Sequence, residues 1–308
     1  MLVAITYPAI LGDAAPTANS GKFKDWGFEG SINYNGKIGE VQYHVGGNIT
    51  FARNELTDYG GTSVLKSGYT STQQGYSLNS IFGLRYGGKI QNEEMLKAYL
   101  AKYYPNNGIG MPSNLRVGDN MYCDENGDGV LDYRDYIYLG SDTPEISYSF
   151  NAGASWKGID FNIVFQGSAN RFVYRGIDAW TVPFRSLYTN STTSSIGNTW
   201  SETNPNAYYN PYTTDANIVS YNYQANSLTA QDGRYIRLKN ITVGYNLPAS
   251  VLKKLGFVNA ARIYFTGEDL WESTKITDGW DPEAKRDASD VSRYPFTRNF
   301  TFGLNLTF

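Results

Sequence analysis

Apolar and polar residues alternate along several stretches of the chain, as they do in β-strands that have one apolar face. In residues 28–38 the even positions are apolar or glycine and the odd positions are polar. In residues 41–51 the apolar residues take the odd positions, and His44 is among the polar residues between them. Such alternation places one face of a strand in an apolar medium and the other in a polar one. The link around Gly39 is short, which predicts a hairpin.

The same alternation returns later in the chain. It covers residues 146–156, 159–165, 234–248, 261–271 and 294–308. The phase slips between Leu238 and Ile241, and a slip of this kind predicts a β-bulge. The last stretch carries an apolar row that only Arg298 interrupts.

The lengths of these strands and of their connections predict a membrane barrel. The strands are about 10–14 residues long, and a tilted strand needs about 9–11 residues to cross a bilayer. Short turns at Gly39 and Lys157–Gly158 alternate with long polar connections at 55–144, 173–233 and 272–293. We therefore predict an all-β fold, an antiparallel transmembrane β-barrel with long extracellular loops. The pattern accounts for about seven spanning strands of a larger barrel.

Two further segments, residues 79–90 and 114–123, also have a strand-like pattern. If both crossed the membrane, residues 91–113 would form a long periplasmic turn, and periplasmic turns are usually short. We therefore predict one long extracellular loop for residues 55–144, with a helix near its middle. The segment Pro248–Gly256 starts with proline and ends with glycine, which predicts a short helix on the periplasmic side.

The composition agrees with this class of protein. The chain has 308 residues, a net charge of −3 and only 18% charged residues, so nucleic acid is not a predicted partner. Aromatic residues make up 15% of the chain, with 26 tyrosines and 32 glycines, which favours an all-β protein. No run of about 18 apolar residues predicts a membrane helix. The start of the chain has no basic region and is not a convincing signal peptide.

The stretch "DENGDGVLDYRD", residues 124–135, has the ligand spacing of an EF-hand calcium loop. Oxygen ligands are expected from Asp124, Asn126, Asp128, Asp132, Asp135 and the backbone carbonyl of Val130. The alternative is a loop of Asx turns without a metal. The flanking segments are strand-like rather than helical, so we predict a structural calcium clamp on an extracellular loop rather than a calcium sensor.

Aromatic residues in the long loops are candidates for binding substrate. They are Trp180, Trp200, Tyr208, Tyr209, Tyr212, Trp271 and Trp280. Flat aromatic faces stack on sugar rings, and the neighbouring Asn, Ser and Thr side chains can bond hydroxyl groups. The alternative is that these rings pack against one another or contact a partner protein.

Catalysis has little support in the sequence. The only histidine, His44, lies on the polar face of a predicted strand, and no sequence near it marks a nucleophile elbow. Cys123 is adjacent to Asp124 and is a poor candidate for an activated thiolate. The spacing of Asp281 and Glu283 is weak evidence for a glycosidase. We predict that the chain is not an enzyme.

Several stretches, in this order, resemble the C-terminal part of SusC/RagA-type TonB-dependent outer-membrane transporters. They are residues 19–34, 118–150, 200–209, 232–248, 266–271, 279–284 and 294–308. The resemblance covers nearly all of the chain, so residues 1–308 are interpreted as the C-terminal part of a receptor barrel. The plug domain, the TonB box and the earlier strands are not found in this sequence.

The resemblance implies a barrel of about 22 strands in the outer membrane of a Gram-negative bacterium. It implies uptake of oligosaccharides, or in some members peptides, together with a SusD-like surface lipoprotein. TonB would act only through the missing N-terminal region. The apolar row of the last strand resembles a signal for the barrel-assembly machinery, carried by Phe300, Phe302, Leu304, Leu306 and Phe308.

Two other classes of protein remain open from the sequence alone. One is a soluble, calcium-stapled β-sandwich that binds glycans through its loop aromatics. The other is a small complete outer-membrane barrel that acts as an enzyme or adhesin. A sandwich would bury the apolar faces of its strands in a core, whereas a barrel would expose them to lipid.

Overall fold

A computed structural model describes residues 2–4, 17–59, 66–68, 71–176, 182–183, 191–284 and 296–308. Its strands are β1 (Leu2–Ala4), β2 (Thr17–Asn19), β3 (Lys22–Ile38), β4 (Val41–Asp58), β5 (Ser80–Gly83), β6 (Tyr86–Lys89), β7 (Asn120–Tyr122), β8 (Ile137–Ser141), β9 (Ile146–Trp156), β10 (Ile159–Ala169), β11 (Phe172–Val173), β12 (Gln231–Asp232), β13 (Tyr235–Asn246), β14 (Ala260–Thr274) and β15 (Asn299–Thr307). Its α-helices are α1 (Glu93–Tyr103), α2 (Ala216–Asn222) and α3 (Ala249–Leu255).

Seven of these strands form one antiparallel sheet in the order β15-β14-β13-β10-β9-β4-β3. This confirms the prediction of an antiparallel barrel wall with about seven spanning strands. Strands β3 and β4 are 17 and 18 residues long, longer than predicted. They extend on the side away from their hairpin, where Phe23 pairs with Leu56 and Trp26 with Arg53. The apolar row of the last strand was predicted to begin at residue 294. Residues 285–295 lie outside the described part of the chain, so the start of this row is among them.

One face of the seven-stranded sheet is apolar and exposed. Ile32 is 75% exposed, Ile263 is 55% exposed and Phe302 is 80% exposed, and Phe150 and Val243 share this face. Among the described residues no second sheet packs against these side chains, as a β-sandwich would require. Apolar area of this extent is stable only in an apolar medium. The face therefore contacts lipid, which is the arrangement of a transmembrane barrel.

The opposite face is polar and its side chains bond one another across strands. His44 Nε2 lies 3.2 Å from the Asn162 side-chain oxygen. The Thr242 and Thr266 hydroxyl groups are 3.1 Å apart. Arg262 forms an ion pair with Asp160. These bonds satisfy polar groups on this side of the wall, as expected for the lumen of a barrel.

The β-bulge predicted between Leu238 and Ile241 lies at Lys239. The pairing of β13 with β14 skips this residue, since Leu238 pairs with Trp271 and Asn240 pairs with Glu268. The register of β13 against β10 shifts at the same place. The extra residue lets both Leu238 and Ile241 face lipid, which explains the slip in the sequence pattern.

The connections fall at two different ends of the sheet. The turns at 39–40 and 157–158 and the helix α3 lie at one end, and the connections 59–145, 170–234 and 275–298 lie at the other. The prediction of a single long loop between β4 and β9 is confirmed, because β5 to β8 form small separate sheets rather than crossing strands. The predicted helices correspond to α1 and α3.

In the described part of the chain, no helix has both the length and the apolar character needed to cross a membrane.

Gly167 of β10 lies where two neighbouring strands leave no room for a side chain. A Cβ atom there would be 2.5 Å from the Tyr148 ring and 2.5 Å from the Tyr235 carbonyl oxygen. By contrast, a Cβ atom at Gly30 of β3 would meet only the Ile49 side chain, at 3.9 Å. The contact at residue 167 includes backbone, so a rotamer change of Tyr148 alone cannot relieve it.

We expect Gly167→Ala to reduce the amount of folded barrel, because the β10–β13 pairing must distort to admit the methyl group. Gly30→Ala is the matched control and should fold like the parent, since its methyl group makes an ordinary contact. Heat-modifiable migration of membrane fractions on a denaturing gel measures the folded fraction. Equal folded fractions for the two variants would contradict the close packing at residue 167.

Candidate functional site

The three long connections meet at one end of the sheet and build a loop region with its own core. Helix α1 supplies Leu96, Tyr99 and Tyr103, and they are joined by residues that flank β6 and by residues of β7 and α2. The N-terminus of α1 is capped by Asn92, whose side-chain oxygen accepts from the Met95 N–H at 2.8 Å. A separate core allows this region to keep a fixed shape outside the membrane.

A buried network of amide side chains joins the first and second long connections. Asn120 donates from its side chain to the Asn222 carbonyl at 2.8 Å and accepts from Asn210 at 2.9 Å. Asn222 in turn donates to the Asp119 carboxylate at 2.8 Å. Burial lowers the pKa of Lys89 to about 8, against the opposing field of Asp119. The network satisfies polar groups that would otherwise destabilise the core.

Tyrosines extend this network through the loop core. The Tyr99 and Tyr221 hydroxyl groups are 2.9 Å apart, and the Tyr122 N–H donates to the Tyr99 hydroxyl at 2.9 Å. Burial raises the pKa of Tyr99 to about 12. The three rings therefore remain neutral hydrogen-bonding groups, and they hold α1, β7 and α2 together.

The Asp/Asn loop winds around its own side chains. Asp124 accepts from the N–H groups of Gly127 at 2.7 Å and Gly129 at 2.9 Å. Asn126 and Asp128 each accept from the backbone N–H two residues later, at 2.8 and 2.9 Å. Gly129 has a φ of 81°, a conformation that favours glycine. These Asx turns bring the predicted ligand side chains onto one short loop.

Neighbouring groups neutralise part of the charge of this loop. Arg134 forms ion pairs with Asp128 at 2.9 Å and with Asp132 at 2.8 Å. The Arg134 guanidinium lowers the pKa of Asp132. Asp135 is fully buried and accepts from the Glu125 and Asp132 N–H groups, both at 2.9 Å. Its carboxylate closes the loop by bonding both of its ends.

Among the residues that the structure describes, no three His, Cys, Asp or Glu side chains form a group that could hold a metal ion. The oxygen donors are nevertheless of the type that Ca²⁺ prefers, and the carboxylates keep further lone pairs. A bound cation would compete with Arg134 for Asp128 and Asp132. Calcium binding by residues 124–135 stays a prediction.

The predicted substrate-binding aromatics do not form one open surface. Tyr209 is buried, and its ring contacts that of Tyr208 edge to face at 4.9 Å. Burial raises the pKa of Tyr208 to about 12. Trp200 packs beside Gly118, where a Cβ atom would be 2.6 Å from the indole. This packing favours the alternative in which these rings stabilise the loops, and Tyr212 is the more exposed member at 52%.

Trp280 lies in the connection after β14, whereas Trp271 lies on β14 itself and not in a loop as predicted. Trp280 is buried beneath Arg175, whose guanidinium carbon is 4.9 Å from the ring centre. Trp271 is 49% exposed on the lipid-facing side, edge to face with Phe165 at 6.4 Å. Trp180 lies outside the described residues. Substrate contact by these three residues stays a prediction, and the position of Trp271 favours a role at the membrane boundary.

The structure also reveals a charge cluster that pattern analysis missed. Arg237 of β13 is almost fully buried and pairs with Glu272, with Asp281 at 2.8 Å and with Glu283 at 3.2 Å. Its guanidinium carbon lies 4.1 Å from the Phe296 ring centre. The cluster ties the connection that follows β14 to the polar face of β13.

Other cations hold the same segment, residues 278–284. Lys239 at the bulge pairs with Glu283 at 3.0 Å and with Asp269 at 2.9 Å. Arg175 pairs with Asp278, and both side chains are buried. Arg171 contacts the Pro282 carbonyl oxygen and pairs with Asp142 at 3.0 Å. We call residues 278–284 the strap, because these cations fasten it across the extracellular end of the sheet.

The remaining candidates have ordinary surroundings. His44 faces the polar side of the wall, beside Asn162. Cys123 is half-buried after β7, and burial raises the pKa of its thiol, so it lacks the character of a nucleophile. The carboxylates of Asp281 and Glu283 pair with Arg237. None of these three settings resembles a catalytic site.

The predicted assembly residues share the lipid-facing side of β15 and its end. Phe300, Phe302, Leu304, Leu306 and Phe308 are all exposed on this face. Such a row is required of any strand that contacts lipid. Recognition of the row by an assembly machinery stays a prediction.

Known receptors resemble this chain along its whole length. TonB-dependent receptor P26 of Formosa agariphila is 27% identical over 333 residues, which covers 100% of this chain and 31% of that receptor. TonB-dependent receptor SusC of Bacteroides thetaiotaomicron is 25% identical over 317 residues, which covers 96% of this chain and 27% of SusC. The chain therefore spans about a third of the length of these relatives. No family model matches it.

Solved structures have the same fold. The structure of the RagAB peptide transporter matches 100% of this chain and 32% of that chain, with a TM-score of 0.70 and 21% identity. The "open-open" state of the RagAB peptide importer matches with a TM-score of 0.67 and 20% identity.

A wall with one lipid-facing side, one polar side and all its long loops at one end defines an outer-membrane β-barrel protein. Along nearly its whole length the chain is similar to TonB-dependent receptors, among them SusC, and it shares the fold of the RagAB transporter. It belongs in the outer membrane of a Gram-negative bacterium. The relatives are receptors and transporters, not enzymes.

We expect Arg237→Met to loosen the strap, because it leaves Asp281 and Glu283 without their buried partner. Breaking a buried ion pair costs about 3–5 kcal/mol, which should appear as faster backbone hydrogen exchange in residues 278–284. Arg234→Met is the control, since Arg234 is exposed and pairs only with Asp232 among the described residues. The outcome that counts against the cluster is equal exchange in the parent and the Arg237 variant.

Proposed function

We propose that this chain forms part of the barrel wall of an outer-membrane importer of nutrients. The observation that carries the proposal is the two-faced sheet, apolar and exposed towards lipid and polar towards the lumen. The similarity to receptors of the TonB-dependent class supports import rather than adhesion or catalysis.

Oligosaccharides and peptides are the proposed substrates. The family resemblance implies oligosaccharides or, in some members, peptides, and the matching solved structures are those of a peptide transporter. Asn and Tyr side chains are frequent in the loop region, and such groups can form hydrogen bonds with both sugar hydroxyl and peptide amide groups. Trp180 and Tyr212 are the proposed aromatic contacts with substrate, whereas Trp200, Tyr208, Tyr209, Trp271 and Trp280 have the packed or lipid-facing positions described above.

A SusD-like surface lipoprotein is the proposed partner at the extracellular end. The loop region has its own packed core, which suits the docking of a second protein. Energy from TonB would reach the barrel through parts of the receptor other than this chain.

Deletion of the gene in its host should abolish growth on either an oligosaccharide mixture or a peptide mixture as the limiting nutrient. Complementation with the full-length gene should restore growth, and the responding mixture identifies the substrate class. Uptake of both mixtures at the parental rate after deletion would refute the proposed function.

We also propose that residues 124–135 bind Ca²⁺ as a structural clamp. The spacing of oxygen donors and the turn at Gly129 support this proposal, and Arg134 would be displaced from Asp128. The ion would supply positive charge that holds the carboxylates of the loop together. The proposed ligands all come from residues 124–135, and no other part of the barrel has to bind the ion.

Titration calorimetry of the full-length receptor with Ca²⁺ tests this clamp. The variant Asp124→Ala with Asp128→Ala should lose the binding heat, because two of its side-chain ligands are missing. Arg134→Met should bind more tightly than the parent, because the competing guanidinium is gone. Identical heats for the parent and the Asp124/Asp128 variant would sink the calcium proposal.

A further inference from the structure

The helical connection between β13 and β14 has exposed apolar and basic side chains whose exposure the proposed import function does not explain. Helix α3 exposes Val251 and ends with the exposed residues Lys253 and Lys254. The chain then turns at Gly256, where φ is 70°, and presents Phe257, which is 71% exposed. This connection lies at the end of the sheet that has the short turns.

Phe257 is held against the end of the last strand. Its ring stacks on that of Phe308, with 6.1 Å between the ring centres and 4° between the planes. Next to the stack, the Asn259 N–H donates to the Thr307 carbonyl at 2.7 Å. Phe308 is 71% exposed and continues the lipid-facing row of β15. The pair of rings therefore extends the apolar surface of the wall beyond its strands.

The charge beside this apolar surface is positive. Residues 247–260 contain two lysines and no acidic residue. Among the described residues, neither Lys253 nor Lys254 has an ion-pair partner within 4.0 Å. Lysines in the last turn of a helix interact favourably with its dipole, but this effect does not account for the exposed rings next to them.

Basic groups on a short helix next to exposed apolar side chains are typical of segments that lie in the membrane interface. Lysine stems cover apolar surface while the ammonium groups reach phosphate oxygens, and each such cation near an anionic surface strengthens the attraction. A free phosphate ion would leave Val251, Phe257 and Phe308 in water, so an acyl chain must be part of the ligand.

We propose that Lys253, Lys254, Val251, Phe257 and Phe308 form a binding site for an anionic phospholipid of the adjacent leaflet. The two ammonium groups contact the phosphate headgroup, and the three apolar side chains lie among the acyl chains. The site fixes the α3 connection and the end of β15 at the membrane boundary. It depends on the barrel being in a membrane and not on what the receptor imports.

Thermal unfolding of the full-length receptor in nanodiscs tests the headgroup contact. We expect a higher Tm in phosphatidylcholine discs that contain phosphatidylglycerol than in pure phosphatidylcholine discs. Lys253→Gln with Lys254→Gln should lose most of this gain. The control variant, Lys97→Gln with Lys102→Gln on α1, changes the charge equally in the loop region and should keep the gain.

Two results of this experiment would overturn the headgroup contact. One is that the Lys253/Lys254 variant keeps the full gain from phosphatidylglycerol. The other is that it loses Tm equally in both kinds of disc, which would assign the lysines to the helix dipole alone.

Native mass spectrometry of receptor purified from outer membranes tests the apolar part of the site. Phe257→Ser should carry less bound phospholipid than the parent, because one ring of the stack is missing. Ile196→Ser is the matched control, since Ile196 is 78% exposed in the loop region, far in sequence from the site. Equal phospholipid on Phe257→Ser and the parent would show that the rings do not hold lipid.

Discussion

Backbone pairing inside a membrane is the constraint on which the rest of this structure depends. Lipid offers no hydrogen-bonding partners, so the backbone of each spanning strand must pair with neighbouring strands along its length. Only the side chains are then in contact with lipid on one face and with the polar lumen on the other. In the seven-stranded sheet the five inner strands pair on both sides, and the side chains alternate between a lipid-facing row and a polar lumen row. Long connections must then lie outside the membrane, where water can satisfy irregular backbone.

The extracellular end consequently needs a second source of stability. Its connections form a core around α1, and buried amides such as Asn120 and Asn222 bond it internally. Four cations of the wall and its adjoining segments, Arg171, Arg175, Arg237 and Lys239, fasten the strap to the sheet. The opposite end has only short turns and α3, so its exposed apolar and basic groups face the membrane boundary instead.

The sequence predicted those features that depend on neighbouring residues. Period-two alternation identified the strands, the phase slip located the bulge at Lys239, and flanking proline and glycine identified α3. It missed the Arg237 cluster, because Arg237 and Asp281 lie far apart along the chain and no local pattern connects them. It left open whether Tyr209 and Trp280 bind substrate or pack within the loops; both rings are buried, and composition cannot distinguish a ring that packs from one that is free.

The sequence by itself determined the class of fold, the faces of the strands and the ends at which the long loops lie. The physical reason is that each side chain of a membrane strand faces either lipid or the polar lumen, and the polarity of the residue indicates which. Tertiary structure alone decided which distant side chains meet: Arg237 with the strap, Trp280 beneath Arg175, and Phe257 against Phe308. These contacts depend on how the loops return to the sheet, and pairing between neighbouring strands does not specify that path.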